Sequence, residues 1–257
     1  MNDIIRSLIT PLLGAFCLGG IVALQLSASP LKTEKTLTTE EYQKQEQIQR
    51  TRIEVLKKIP SLGFKNLQAD LVLLDFIQYY GDAPARDTTG YSLVPNYFEA
   101  VAQHDPRFVH SFLYLAPATS LFAGRPDRSV QILTEITQSL SPEIPDAYLV
   151  WDYKAVDELL FLGDSESARQ SYQKVAEWAA IRDTETSRNI GNRAAQTAKF
   201  LADNPDSKRA QASSWLMIFG NAREEEVRQL ALQQIEKLGG RVEVSNGLLT
   251  VELPETD

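Results

Sequence analysis

The feature that most constrains this chain is a helical pattern written twice between residues 107 and 178. Leu121-Phe122-Ala123-Gly124 recurs as Leu160-Phe161-Leu162-Gly163, with the two glycines 163 − 124 = 39 positions apart. Five residues after each glycine stands a small side chain, Ser129 and then Ala168, and four further on a larger one, Leu133 and then Tyr172. Before the first glycine, Phe108, Phe112, Leu115, Thr119 and Phe122 keep the three-to-four spacing of one helix face. Beyond it, Val130, Leu133 and Ile136/Thr137 give a second stripe. Each unit therefore predicts two antiparallel helices joined at a glycine, with the small residue letting their axes approach. A single hairpin cannot bury both faces, so hairpins must stack, and Asn96 to Pro106 reads as the second helix of an earlier unit. The expected class is all-α, a helical-hairpin solenoid over residues 61–220.

The stretch 94 to 178 resembles tetratricopeptide repeats, in which a small residue and an aromatic follow a Gly-Asp turn at fixed offsets and a proline follows the second helix. Gly163-Asp164, Ala168, Tyr172 and Val175 match the first part of that signature, and Phe98, Val101 and Pro106 the second. The spacing departs from the family's period of about 34, and Pro117 falls inside a predicted helix. The resemblance implies that the first helices of the repeats line a concave, partner-binding side. That side would present Arg107, His110, Tyr114 and Pro117 from one unit, and Trp151, Tyr153, Lys154 and Asp157 from the next. Aromatic and arginine side chains are favoured at protein interfaces. A second phrase, Gly63-Phe64-x-Asn66-Leu67-x-Ala69-Asp70 through Gln78-Tyr79-Tyr80-Gly81, is similar to one near the start of membrane-anchored repeat proteins of cyanobacteria and some other bacteria. That family has no assigned activity; by analogy it points to the assembly of membrane complexes.

The N-terminal region, 1–29, carries a different signal. Leu8 to Leu26 is a run of 19 residues in which Thr10 and Gln25 are the only polar side chains. This is long enough to span a bilayer. The expectation is a single-pass anchor with the following domain outside the cytoplasm, in a periplasm or thylakoid lumen. Secretion after cleavage near Ser27-Ala28-Ser29 is the alternative. Arg6 on one side, and Lys32 and Lys35 on the other, hardly discriminate by the positive-inside rule.

With 257 residues, 43% of them apolar, the remainder can bury a core without disulfides. Its net charge of −8 argues against nucleic acid and anionic headgroups as primary partners. Cys17 is the only cysteine, so the folded region has no thiol chemistry.

Residues 30–60 read as a polar tether followed by a helix that opens on a Thr38/Glu41 capping box and ends before Pro60. This helix is read either as a stalk or as a surface helix resting on the first repeat. The segment 62–81 is apolar nearly all round and predicts a buried helix, with Asn66 and Asp70 on one face and Gln78 two turns on. Buried polar groups of this kind form either a structural network or part of a pocket. Asp82 to Pro95 reads as a loop in which Arg86 and Tyr91 are free to meet a partner. Helices over 184–202 and 208–219 continue the stack. In 221–257, a third helix opening at Asn221 is expected to help cap it, before a hairpin with an Asn246-Gly247 turn that sets Val244 opposite Leu249 and Arg241 opposite Glu252.

The two histidines, His104 and His110, flank a helix boundary and make no metal or catalytic constellation. Phosphate loops, His-Glu-x-x-His and paired cysteines are absent. Asp157-Glu158 and Glu224-Glu225-Glu226 read as solvated faces, with Glu224 able to pair with Arg228. The sequence predicts no enzyme, no cofactor and no metal. It predicts a scaffold that binds a protein partner, a membrane-complex subunit. The alternatives are a permanent structural subunit of such a complex and, less favoured, a small-molecule binder or enzyme using the Asn66/Asp70 helix.

Overall fold

Glycine turns set the architecture. In a computed structural model that describes residues 14, 16–23, 37–203, 208–245 and 248–252, Gly90, Gly124 and Gly163 all hold positive φ, at 66°, 62° and 68°. Each ends one helical arm and starts the next, a backbone state that costs a glycine nothing. The turns are 124 − 90 = 34 and 163 − 124 = 39 residues apart, so the hairpin pattern extends one unit earlier than the written repeat.

The chain forms two compact units, residues 1–41 and 42–257. Helix α1 (Thr39–Lys58) crosses that boundary. Its capping box is formed as expected: the Thr38 N–H donates to Glu41 Oε2 at 2.8 Å and the Glu41 N–H to Thr38 Oγ1 at 3.3 Å. The predicted anchor falls largely outside the described residues, and among the described residues no helix is long and apolar enough to cross a membrane.

In the larger unit, α2 (Lys65–Gly81) and α3 (Ala83–Thr89) precede the Gly90 turn, and α4 (Val94–His104) follows it. The next arm is α5 (Val109–Phe112) and a π-helical turn, π1 (Pro117–Phe122), followed after Gly124 by α6 (Pro126–Thr137). Then come α7 (Ala147–Asp157), a second π turn, π2 (Glu158–Leu162), and, after Gly163, α8 (Ser165–Arg182). The helix predicted over 108–123 is thus broken. Pro117 has no N–H for the α ladder, and the chain re-forms as a wider π turn. Both π turns lie in the Leu-Phe-x-Gly phrases that mark the repeat, where the bond Ala123 N–H to Ala118 O at 3.1 Å closes the first of them.

Consecutive helices pack on one another. Phe76, Tyr79, Tyr97, Phe98, Phe112, Leu115 and Leu133 form the main core, with the rings of Phe76 and Phe98 4.7 Å apart. Ile53 is fully buried in the same core, so α1 rests on the first hairpin as a surface helix rather than standing off as a stalk. A second core joins Tyr148, Ala168, Tyr172 and Val175 to Ala194, Ala198 and Leu201 of α9 (Glu185–Asp203).

The last helices do more than cap the stack. α10 (Lys208–Asn221) and α11 (Glu225–Lys237) fold back across the glycine turns. Gln211 sits against Gly163, Val227 against Gly124 and Glu224 against Gly90, each so close that a Cβ on the glycine would meet the side chain within 2.6 Å. A third core of Phe161, Trp215, Ile218, Val227, Ala231 and Ile235 fills the space beneath. Asn221 does not cap α11 as predicted. Its amide donates back to Met217 O at 2.8 Å, and Glu224 is the N-cap residue. Glu224 does not pair with Arg228 either, because its Oε1 accepts the Tyr91 N–H at 2.8 Å. Strands β1 (Arg241–Ser245) and β2 (Leu248–Glu252) pair antiparallel with Arg241 opposite Glu252 and Val244 opposite Leu249. The turn between them lies outside the described residues.

Candidate functional site

The helix that sequence reads as buried on all sides is buried on one side only. On α2, Ala69, Val72, Asp75, Phe76 and Tyr79 face the core. Leu67, Leu71, Leu74 and Ile77 are 54%, 54%, 55% and 55% exposed. At ~1.5 Å per residue this apolar row runs about 15 Å along the helix. It continues into the turn before α2, where Phe64 and Leu62 are exposed and Leu62 holds a left-handed φ of 46°. Asn66, Asp70 and Gln78 are exposed too, which corrects the expectation that they form a buried polar network. No other part of the described chain covers this row.

Asp75, buried on the inner face of α2, was not singled out by sequence. It accepts the Gln49 amide at 3.0 Å and the Tyr97 hydroxyl at 3.4 Å, and pairs with Arg52 at 3.3 Å. Gln49 donates to Tyr97 as well. The segment read as a loop is largely α3, started by Asp82, whose carboxylate accepts the Ala85 N–H at 3.3 Å. Arg86 and Tyr91, expected to be free, are both buried. A mixed-charge groove of about 540 Å³ runs between α1, α4 and α6, lined by Lys57, Glu99, Gln103, Arg128 and Glu135. Glu99 anchors its walls, pairing with Lys57 at 3.0 Å and with Arg128.

The residues expected on a concave side separate into two groups. Arg107, His110 and Tyr114 are exposed, with His110 Nε2 3.7 Å from Asp146 Oδ2. Trp151 and Tyr153 are half-buried, and Lys154 is buried. Trp151 and Lys154 line a cleft of about 370 Å³ with Ser171 and Lys174. Trp178 meets the Trp151 ring edge-on at 5.8 Å, and the Trp151 Nε1–H is buried with no acceptor. His104 is structural, its Nε2 3.1 Å from the Leu56 carbonyl oxygen.

Asp157 and Glu158, read as a solvated pair, are among the most buried charged residues. Glu158 pairs with Lys154 and accepts the Ser171 hydroxyl at 2.7 Å, while Lys154 Nζ donates to Ser171 Oγ at 3.2 Å. The three side chains form one buried network. Asp157 has no cation paired with it among the described residues. It accepts the Ser120 hydroxyl at 2.7 Å from π1, and Ser129 of α6 favours its ionised form without completing a hydrogen bond. Burial pushes its carboxyl up to about 7, and the neighbouring Glu158 charge adds to the rise. This polar seam ties the two written repeats together. Among the described residues no three His, Cys, Asp or Glu side chains gather to hold a metal ion.

Among the described residues the arrangement offers an apolar helix face, a charged groove and a half-buried tryptophan cleft. No protein-family model matches the chain, and no curated protein and no solved structure shows a significant match to it.

Proposed function

We propose that this protein is a membrane-anchored helical-repeat scaffold that docks a helix of a partner protein, a subunit of a membrane complex whose assembly or organisation it supports. The observation that carries the reading is the uncovered row Leu67, Leu71, Leu74 and Ile77 on α2. Its spacing of four, three and three is that of a helix–helix seam. Asp70 and Gln78 lie on the same exposed face and give a partner helix polar points by which to set register. A bilayer surface is the poorer occupant, because the chain's net charge is −8 and an acidic side chain stands beside the row. The anchor in this reading rests on the apolar run 8–26, with the repeats on the extracytoplasmic face.

The test compares the full-length chain with a Leu71→Glu/Leu74→Glu variant in mild-detergent co-purification, quantified by mass spectrometry. Both side chains are more than half exposed, so folding should be unchanged by circular dichroism. Membrane-complex subunits present with the wild type and depleted at least tenfold with the variant are the expected result. Identical recoveries would remove α2 as the docking face. Recovery of the chain's own second copy alone would replace the partner with self-association.

A further inference from the structure

Arg86 is the buried charge that the fold leaves least accounted for. It is 4% exposed, and among the described residues no carboxylate lies within 4 Å of it. Its Nη1 donates to the Gly90 carbonyl at 2.6 Å, and the guanidinium carbon stands 3.6 Å from the centre of the Tyr79 ring. Its Nε–H is buried with no acceptor, and Nη1 is the only guanidinium nitrogen with a partner among the described residues. Glu224, the acid on the far side of the Gly90 turn, feels the Arg86 charge but is committed to the Tyr91 N–H. A buried guanidinium held by one carbonyl and a ring face is expensive to maintain. Nη2 makes no hydrogen bond among the described residues, and a guanidinium binds a carboxylate more strongly than it binds a neutral acceptor.

Arg86 also lines a cavity. Between α1, α2 and α3 lies a space of about 190 Å³, walled by Glu46, Arg52, Asp75, Tyr79, Asp82 and Arg86. At ~30 Å³ per water this holds about six waters, or a molecule of about six non-hydrogen atoms. Three carboxylates share the wall with two guanidiniums, which disfavours a dianion. They favour a molecule carrying one carboxylate and one cationic group. The Asp75 carboxylate lies beside that space, held by Gln49, Tyr97 and Arg52, and Glu46, which accepts the Ser92 hydroxyl at 2.7 Å, adds a second acid for an ammonium.

We infer that this cavity is a binding site for a small zwitterionic α-amino acid, its carboxylate on the Arg86 guanidinium and its ammonium toward Asp75 and Glu46. The site shares Gln78 with the exposed side of α2, but its test reads the heat of a small molecule and not the recovery of a partner, so the two readings fail separately.

The test is isothermal titration of the full chain in detergent with L-alanine, which has about the size the cavity admits, and separately with acetate and methylammonium. Expected is saturable one-to-one binding of alanine, at least tenfold weaker binding of acetate, and none of methylammonium. Arg86→Gln should abolish the alanine signal. Because a buried arginine also contributes to folding, Gln45→Trp provides the second variant. Gln45 is exposed and lines the cavity, so the indole should fill its mouth and weaken alanine at least tenfold with the circular dichroism spectrum unchanged. Absence of saturable heat with alanine, or an affinity untouched by Gln45→Trp, would overturn the site. Acetate binding as tightly as alanine would overturn its zwitterion selectivity.

Discussion

Replacing Asp157 with asparagine should make this protein more stable, and increasingly so as pH rises. Asp157 is 2% exposed, has no cationic partner among the described residues, and has its carboxyl pushed up from 3.8 to about 7 by burial. Between these two values the native state still holds a proton that the unfolded chain has released. Stability is therefore lost as pH rises, by about 1.4 kcal/mol for each pH unit. From pH 5 to pH 7 the loss is about 2 kcal/mol, since the native carboxyl is already half ionised at its own pKa, and over the whole titration about 4 kcal/mol. Asp157→Asn removes the titration while keeping the acceptor for the Ser120 hydroxyl, and it offers an N–H to Ser129 Oγ, which now has no partner. The assay is urea unfolding of both chains at pH 5, 6, 7 and 8. Other carboxylates titrate alike in the two proteins, so the informative quantity is the gap between them, which should widen by about 2 kcal/mol between pH 5 and 7 and level off by pH 8. Parallel curves would mean that Asp157 ionises in the native protein where it does in the unfolded chain. The argument from burial would then fail.

Three further outcomes follow from the packing. Lys154→Met leaves Glu158 buried beside Ser171 without its cation, and thermal or urea unfolding should show a loss of about 3–5 kcal/mol, with Lys154→Met/Glu158→Leu recovering most of it. Gly124→Ala forces a side chain into a φ of 62° and a Cβ to within 2.3 Å of Val227 Cγ1; a loss of more than about 2 kcal/mol in urea unfolding is expected, from the left-handed backbone and the overlap together. Glu224→Ala strips the Tyr91 N–H of its acceptor, and hydrogen exchange should quicken at Tyr91 and along α11 while α8 and α9 keep their protection.

The sequence speaks clearly where local chemistry decides the backbone. The Thr38/Glu41 box starts α1, the glycines turn each hairpin, and Pro117 flags the place where an α ladder could not continue. It speaks poorly where the answer depends on what lies opposite a side chain. Leu71-Val72-Leu73-Leu74 reads as wholly buried because hydropathy records how apolar a residue is, not whether the same chain covers it. The outer row of α2 was missed for that reason. Arg86 and Tyr91 read as loop residues because the acid that closes over their turn, Glu224, is 133 positions away from Tyr91. Asp157 and Glu158 read as solvated because carboxylates usually are. Their burial follows from Ser120, Ser129 and Ser171, small hydroxyl residues whose placement in three other elements no spacing rule announces. Among the predicted partner residues, Lys154 carried the same ambiguity, since a long cationic chain on a helix serves a surface and a buried pair equally well.

The helices that fold back over Gly163, Gly124 and Gly90 also bear on how this protein can change in length. An open repeat array couples only neighbours, so a unit can be gained or lost with little disturbance to the rest. Here Gln211, Val227 and Glu224 are spaced to meet three particular turns. An inserted or deleted hairpin would slide every later turn out from under its contact. The return path makes the array count its own units, and it binds the first of those turns to a segment synthesised more than a hundred residues later. The early repeats are therefore complete only when residue 224 has emerged, and the number of hairpins is fixed by the helices that cross them.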